Sequence, residues 1–243
     1  MPSPFESHTC SAPAERSERM RDIVLEHAAR DHALQVLDVG CGTGSLVFRL
    51  AGALPRATVV GIDISAANIR VADAQRESGG AGARTRFERA DYLEYDTDPV
   101  DLIVTDTVLH FIGGQPRGLW TKLARDVRDG GFLIACMAYD SAHNRALAAG
   151  RRVLRALRSR PVDALLVAAG RRAYGRQLDD GLIRERIEYM FIPPEQLMTR
   201  DVVARLAPSL GLRFVARHEM PGTSATQLQQ HVTVFQKDRR TDD

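Results

Sequence analysis

Lysine is almost missing from this chain: Lys122 and Lys237 stand against 31 arginines, a bias that reads first as a GC-rich genome and only second as chemistry. Cysteine is scarce as well. Cys10, Cys41 and Cys136 are odd in number and widely spaced, with no C-x-x-C, which argues against a disulfide framework and a structural zinc site and fits a reducing cytoplasm. Long apolar runs are lacking: the longest, Leu133 to Ala138 and Ala164 to Ala169, fall far short of the ~18 residues that read as a membrane span. The opening Met1-Pro-Ser-Pro-Phe-Glu-Ser-His8 has no positive start followed by an apolar stretch, so it does not read as a secretory signal. Neither a fixed-period repeat nor a low-complexity tract is present. No sign of charge dominates, since 33 basic residues face 31 acidic ones, and the net +2 points to no polyelectrolyte partner for the chain as a whole.

What remains is an ordinary globular composition, 243 residues with 44% hydrophobic and 26% charged. That length suits one domain with a large elaboration as well as two domains. From Gln35 to Met137 short β-branched runs alternate with helical patterns, the signature of parallel βαβ units with both sheet faces covered. Gln35 to Val39, Thr58 to Asp63, Thr85 to Ala90, Asp101 to Thr105 and Phe132 to Met137 read as five strands. The last follows a Gly130-Gly131 turn. Helices are expected from Ser45 to about Ala53, from the Ser65 cap to a stop before Ser78-Gly-Gly80, and from Pro116 to Val127.

Residues 141–200 change character. They hold no convincing strand, two or three helices, and twelve arginines against six acids. The βα pattern then resumes, with a helix opened near Thr199 and ended by Gly211, then strands at Leu212 to Arg217 and His231 to Phe235. With no helix between these two, the final strand is expected to be antiparallel in an otherwise parallel sheet. The expected organisation is an N-terminal helical segment over 1–30, a core over 31–139 and 199–237, a helical lid over 140–198 inserted after the fifth strand, and a disordered tail over 238–243. The fold class is α/β, a Rossmann-like doubly wound sheet of about seven strands.

The first strand runs into Gly40-Cys-Gly-Thr-Gly44 and then a helix, a nucleotide-binding beginning: glycines let the backbone approach a ligand and the helix N-terminus offers free N–H groups. The spacing excludes the dinucleotide fingerprint, because the third glycine would have to stand at Ser45 or Val47. It also excludes the P-loop, since no Gly-Lys-Ser/Thr follows. The pattern is Asp38-x-Gly40-x-Gly42-x-Gly44.

With that motif the chain resembles the class I S-adenosylmethionine-dependent methyltransferases, of the small-molecule type. Further matches come in the family's order: Gly61-Ile-Asp63-Ile64, Ala90-Asp91-Tyr92, Asp101 to His110, and Asp129-Gly-Gly-Phe132. The resemblance implies S-adenosylmethionine as cofactor. It implies that Asp63 accepts the ribose hydroxyls, that Ile64 lies on the adenine face and that Asp91 accepts from the adenine amino group. Tyr92 would contribute backbone or a ring edge, with packing against the sheet as its alternative. Asp38 and the backbones of Gly40 and Asp106 would hold the methionyl ammonium, over the turn made by Gly42 and Gly44.

A sulfonium is already activated, so alignment and exclusion of water supply most of the rate. A base is needed only when the acceptor must lose a proton. His110 is the first candidate, as base or as a pocket-shaping residue, followed by Tyr139 and His143. The remaining histidines, among them His27, His218 and His231, read as surface or packing residues, and no metal is expected. Two specialised chemistries are excluded by absence. The fourth strand ends Thr105-Asp-Thr-Val108 where amino-methylating DNA and protein enzymes carry Asn/Asp-Pro-Pro-Tyr/Phe, and no cysteine follows proline as cytosine C5 enzymes require. The expected activity is methyl transfer to an O or N atom of a small metabolite in specialised biosynthesis. Docking of RNA or protein on the arginine-rich insertion, or cofactor binding without transfer, are the alternatives. Arg151, Arg155 and Arg158 form either a solvated helical face or a surface for an anionic acceptor. Nucleic acid is disfavoured for want of aromatic interleaving, membrane association is not expected, and a homodimer is left open.

Overall fold

The computed structural model describes residue 5 and residues 12–28, 32–78, 82–174, 180–220 and 227–239. Cys10, His8 and positions 240–243 of the expected tail lie outside them. Helix α1 spans Ala14–His27. The alternating core follows as β1 (Gln35–Val39), α2 (Ser45–Ala53), β2 (Thr58–Asp63), α3 (Ala66–Ser78), β3 (Thr85–Arg89), β4 (Val100–Asp106), α4 (Pro116–Asp126) and β5 (Val127–Ala138). Three helices come next, α5 (Ala142–Ala156), α6 (Arg160–Tyr174) and α7 (Asp180–Met190), then a π-turn over Val202–Leu206 that leads into α8 (Ala207–Ser209), and finally β6 (Leu212–Glu219) and β7 (Gln230–Lys237).

The seven strands form one sheet in the order β3-β2-β1-β4-β5-β7-β6. The first five are parallel, while β7 runs antiparallel to both β5 and β6, as the missing helix before β7 required. Side chains alternate across the sheet. Val36, Leu102, Val104, Ile134 and Cys136 face a core closed by α1, α2 and α3. Leu37, Ile103, Leu133, Ala135 and Met137 face a second core closed by α4 and residues 202–210, where Trp120 meets Phe235 edge to face at 5.4 Å. Burial on both faces is why these strands read as continuous apolar runs. Among the described residues no helix is long and apolar enough to cross a membrane.

The largest boundary difference from the sequence expectation is at the fifth strand, and the last helix differs in its winding. The fifth strand begins at Val127, not Phe132, because the two glycines are absorbed into it: a Cβ on Gly131 would lie 2.6 Å from the Asp101 carbonyl oxygen of β4. The helix opened at Thr199, whose hydroxyl accepts from the Val202 N–H at 3.1 Å, is wound partly as a π-turn. The insertion holds three helices, and α6 and α7 close a small core of their own around Val167, Ile183, Ile187 and Phe191.

Candidate functional site

The strand order reverses its sense between β1 and β4, and a crevice at the carboxyl ends of the strands is expected at such a switch. Three acids stand there: Asp38 near the end of β1, Asp63 closing β2 and Asp106 closing β4. The glycine loop crosses the same edge. Gly40, Gly42 and Gly44 all have positive φ, 74°, 55° and 86°, and the Gly40 and Cys41 N–H groups both donate to the Ile62 carbonyl at 2.8 and 2.9 Å. A side chain at Gly40 has no room, since its Cβ would lie 2.2 Å from Val108 Cγ2. At Gly44 it would meet the Phe87 ring at 2.7 Å.

Asp63 is turned onto this loop. Its Oδ2 accepts from the Gly42 N–H at 2.9 Å, and its Oδ1 accepts from the Ser65 N–H at 2.8 Å and from Asn68 Nδ2 at 3.1 Å. Ile64 beside it is half-buried. Asp38 is buried, and its carboxyl makes no side-chain hydrogen bond with another described residue. Burial first, and then the charges of Asp106 and Asp63, raise its carboxyl well above the usual carboxylate range. The Cys41 and Cys136 thiols are pushed up by burial and by neighbouring acids, so neither is a ready nucleophile.

Asp106 is held by a residue that motif reading missed. Arg16, in the first turn of α1, donates from Nε to Asp106 Oδ2 at 2.8 Å and from Nη2 to Thr107 Oγ1 and Gln230 Oε1, each at 2.6 Å. Burial works against its charge, but the bonds and charge of Asp106 prevail and hold Arg16 above its ordinary value. One arginine among 31, outside every motif, carries no signal in the sequence; only the packing of α1 on α2 brings it here. Thr107, with φ 68°, is a non-glycine residue in the left-handed region next to Asp106, a strained position of the kind that clusters at functional sites.

His110 follows on a short 3-10 turn, Leu109–Phe111, and is fully buried. Both of its ring nitrogens are buried without a hydrogen-bond partner. Burial, then the charges of Arg151 and Arg16, lower its pKa to about 3, so the ring is neutral at pH 7. Its backbone oxygen accepts from the Glu195 N–H at 2.8 Å, which ties the end of the insertion to this turn. Arg151 of α5 donates to the Ile192 carbonyl at 3.2 Å and is lowered by burial.

The other expected residues divide. Asp91 is exposed, and its Oδ1 accepts from the Leu93 N–H at 2.9 Å. Tyr92 is taken up by packing: its hydroxyl donates to Asp126 Oδ2 at 3.1 Å and Lys122 Nζ lies 4.7 Å over its ring. Tyr139 stacks on His231 with centroids 3.9 Å apart and donates to Gln229 Oε1 at 3.0 Å. His143 Nε2 lies 3.1 Å from the Gln227 carbonyl. These last two therefore bind the segment entering β7. Of the three insertion arginines, Arg158 is ion-paired with Glu188 and Asp163 and stacked on Phe191, Arg151 reaches inward, and Arg155 is exposed.

A family model described as a methyltransferase domain matches residues 30–153. Trans-aconitate 2-methyltransferase of Deinococcus radiodurans is 36% identical over 136 residues, 55% of this chain and 50% of that protein. Ubiquinone biosynthesis O-methyltransferase of Agrobacterium fabrum is 32% identical over 152 residues, 58% of each. The chain spans about half the length of the curated relatives it matches. Among solved structures, magnesium protoporphyrin IX methyltransferase of Synechocystis PCC 6803 with bound SAH superposes with a TM-score of 0.61 at 15% identity, over 93% of this chain and 83% of that one.

Proposed function

The chain belongs to the methyltransferase domain family of the class I S-adenosylmethionine-dependent superfamily, and from that premise we propose that it methylates an oxygen of a small anionic metabolite in specialised biosynthesis. The observation that carries the cofactor half is the trio of carboxylates, Asp38, Asp63 and Asp106, around a loop that only glycine can build. Asp63, beside the buried carboxyl of Asp38 and the Arg16-paired Asp106, disfavours a pyrophosphate, and a cationic ligand would favour the ionised form of Asp38. S-adenosylmethionine fits, because it brings an ammonium and a sulfonium and no phosphate, and when bound it supplies a methyl group on a good leaving group.

The Asp38 carboxyl, buried without a side-chain hydrogen bond among the described residues, would receive the ammonium. Asp63 has three of its roughly four acceptor positions filled by Gly42, Ser65 and Asn68. It would bind one ribose hydroxyl as it stands, and the second by releasing the longest of those bonds, that from Asn68. Ile64 would lie along the adenine, and Asp91, bonded so far only through local turns, would take the amino group. Tyr92 can offer only backbone.

The acceptor half follows from His110. A ring with a pKa near 3 is too weak a base to deprotonate an amine or a neutral alcohol efficiently. It can still donate or accept a hydrogen bond from either unpartnered nitrogen. A carboxylate or an acidic hydroxyl arrives already ionised, needs no base, and is attracted by Arg151 and Arg16. The trans-aconitate relative acts on an acid of this kind, which supports the reading. Residues 140–198 would cover the acceptor and exclude water. Docking of a macromolecule on this segment finds less support, since Arg145, Arg151, Arg152 and Arg158 are bonded to Asp140, Ile192, Pro194 and Glu188.

The test pairs calorimetry with labelled methyl transfer. Wild type should bind S-adenosylhomocysteine and pass label from S-adenosylmethionine into the acidic, low-molecular-weight fraction of a cell extract. Asp63→Ala should lose about 1–3 kcal/mol of cofactor affinity, the scale of a lost buried polar contact. Undiminished affinity in that variant, or label appearing only in macromolecules, would overturn the assignment.

A further inference from the structure

Two histidines that read as packing residues in the sequence meet in space: His27, closing α1, and His218, in the edge strand β6. Their rings lie edge to face with centroids 6.2 Å apart, and His27 is steadied on its other side by Phe132 at 5.5 Å. The Nε2 atom of each is buried and has no hydrogen-bond partner. Glu26 stands beside them, its Oε2 3.9 Å from His218 Nε2. One ligand atom from each of the three lies within 4.8 Å of the others. Among the described residues this is the one such group of three.

We propose that Glu26, His27 and His218 form a binding site for a divalent transition-metal ion, with Zn²⁺ the best fit, that fastens the end of α1 to the sheet edge. Buried polar atoms are nearly always satisfied, and one cation could satisfy the orphaned imidazole nitrogens of these two neighbouring rings. Two nitrogens and one carboxylate oxygen suit zinc and its neighbours, whereas calcium and magnesium prefer all-oxygen sets. The carboxylate offsets part of the charge and a water can fill the fourth tetrahedral position. Bonds of about 2.0–2.1 Å put tetrahedral ligand atoms roughly 3.4 Å apart, so the site must contract slightly. Glu26 is exposed and free to swing inward. Burial is the main reason His27 sits below its ordinary pKa, which keeps it in the neutral form that ligates metal.

The consequence reaches beyond the site itself. The same helix carries Arg16 to Asp106 at its other end, so an ion at His27 would fix the helix that completes the crevice. The site stands independently of the activity proposed above.

The experiment uses the tag-free full chain stripped with a chelator. Calorimetry should find one equivalent of Zn²⁺, Co²⁺ should give the visible absorption of a tetrahedral site, and zinc should raise the melting temperature. His27→Gln and His218→Gln should each weaken zinc binding at least about tenfold, the scale on which even outer-shell partners act. Glu26→Gln, at an exposed position, should weaken it in the same direction. Circular dichroism of each variant checks that the chain is folded. Absence of zinc binding by the folded wild type, or binding that survives all three substitutions together, refutes the site.

Discussion

Asp38 is the residue whose chemistry is most exposed to test, because its buried carboxyl is raised by desolvation, Asp106 and Asp63 and its expected ligand is a cation. An ammonium favours the ionised acid, so binding must release the proton that burial retains. The sign follows directly: affinity for S-adenosylhomocysteine rises with pH until the pH passes the raised pKa, and levels off above it. His110 does not titrate in that window, since its pKa lies near 3. Calorimetry in buffers of differing ionisation heat should therefore show proton release in the wild type and none from this position in Asp38→Asn, which should also bind more weakly. Equal pH dependence in both would remove Asp38 from the ammonium site. The ligand roles of Asp38, Asp63 and the three glycines came only from the resemblance, but the strand ends that carry the two acids, and the turn that carries the glycines, were readable from the sequence pattern. Arg16 and the His27–His218 pair were not, because their partners lie 90 and 191 positions away along the chain and no local pattern encodes such a meeting.

At the scale of elements, the central strands were readable because both faces of the sheet are buried there and most positions are apolar, while the edge strands β3 and β6 keep exposed charged positions. The start of β5 was misjudged because Gly130-Gly131 answer to the neighbouring strand β4, not to local preference; the last helix opens at Thr199 as expected, and only its π winding was not foreseen. The β1–α2 turn makes the opposite case, where local geometry decides. Gly40→Ala should cost about 1–2 kcal/mol for a side chain at positive φ, and more for the contact with Val108, 2.2 Å from the added Cβ. Val108→Ala removes the two closest atoms but leaves the Val108 Cβ at 2.9 Å. Urea midpoints of the two single variants and the double variant should thus show a favourable coupling with the φ cost still present. Strictly additive losses would mean that the turn relaxes and that the close approach is not what requires glycine.

The whole molecule is a sheet that was readable, a resemblance that reached from Gln35 to Met137 and resumed at the terminal strands, and an insertion expected to hold two or three helices, which holds three, but whose function no motif describes. Its separate core around Val167, Ile183, Ile187 and Phe191 suggests that part of it can be removed cleanly. Arg158, just past α5, pairs with Glu188 and stacks on Phe191 at 4.3 Å, so the chain leaves and re-enters at neighbouring points. A Gly/Ser linker of about six residues can bridge them. Replacing residues 159–189 in this way keeps Arg151, the Glu195 bond to His110 and the whole sheet. Cofactor affinity should stay within about twofold, because every proposed cofactor residue lies outside the excised span and shares no partner with it. Acceptor turnover should fall at least about tenfold with a raised KM, as a cover that orders substrate and excludes water is lost. Comparable losses of cofactor and acceptor binding would instead make these helices a brace for the sheet, and acceptor choice would then have to rest with α1 and the turn that carries His110.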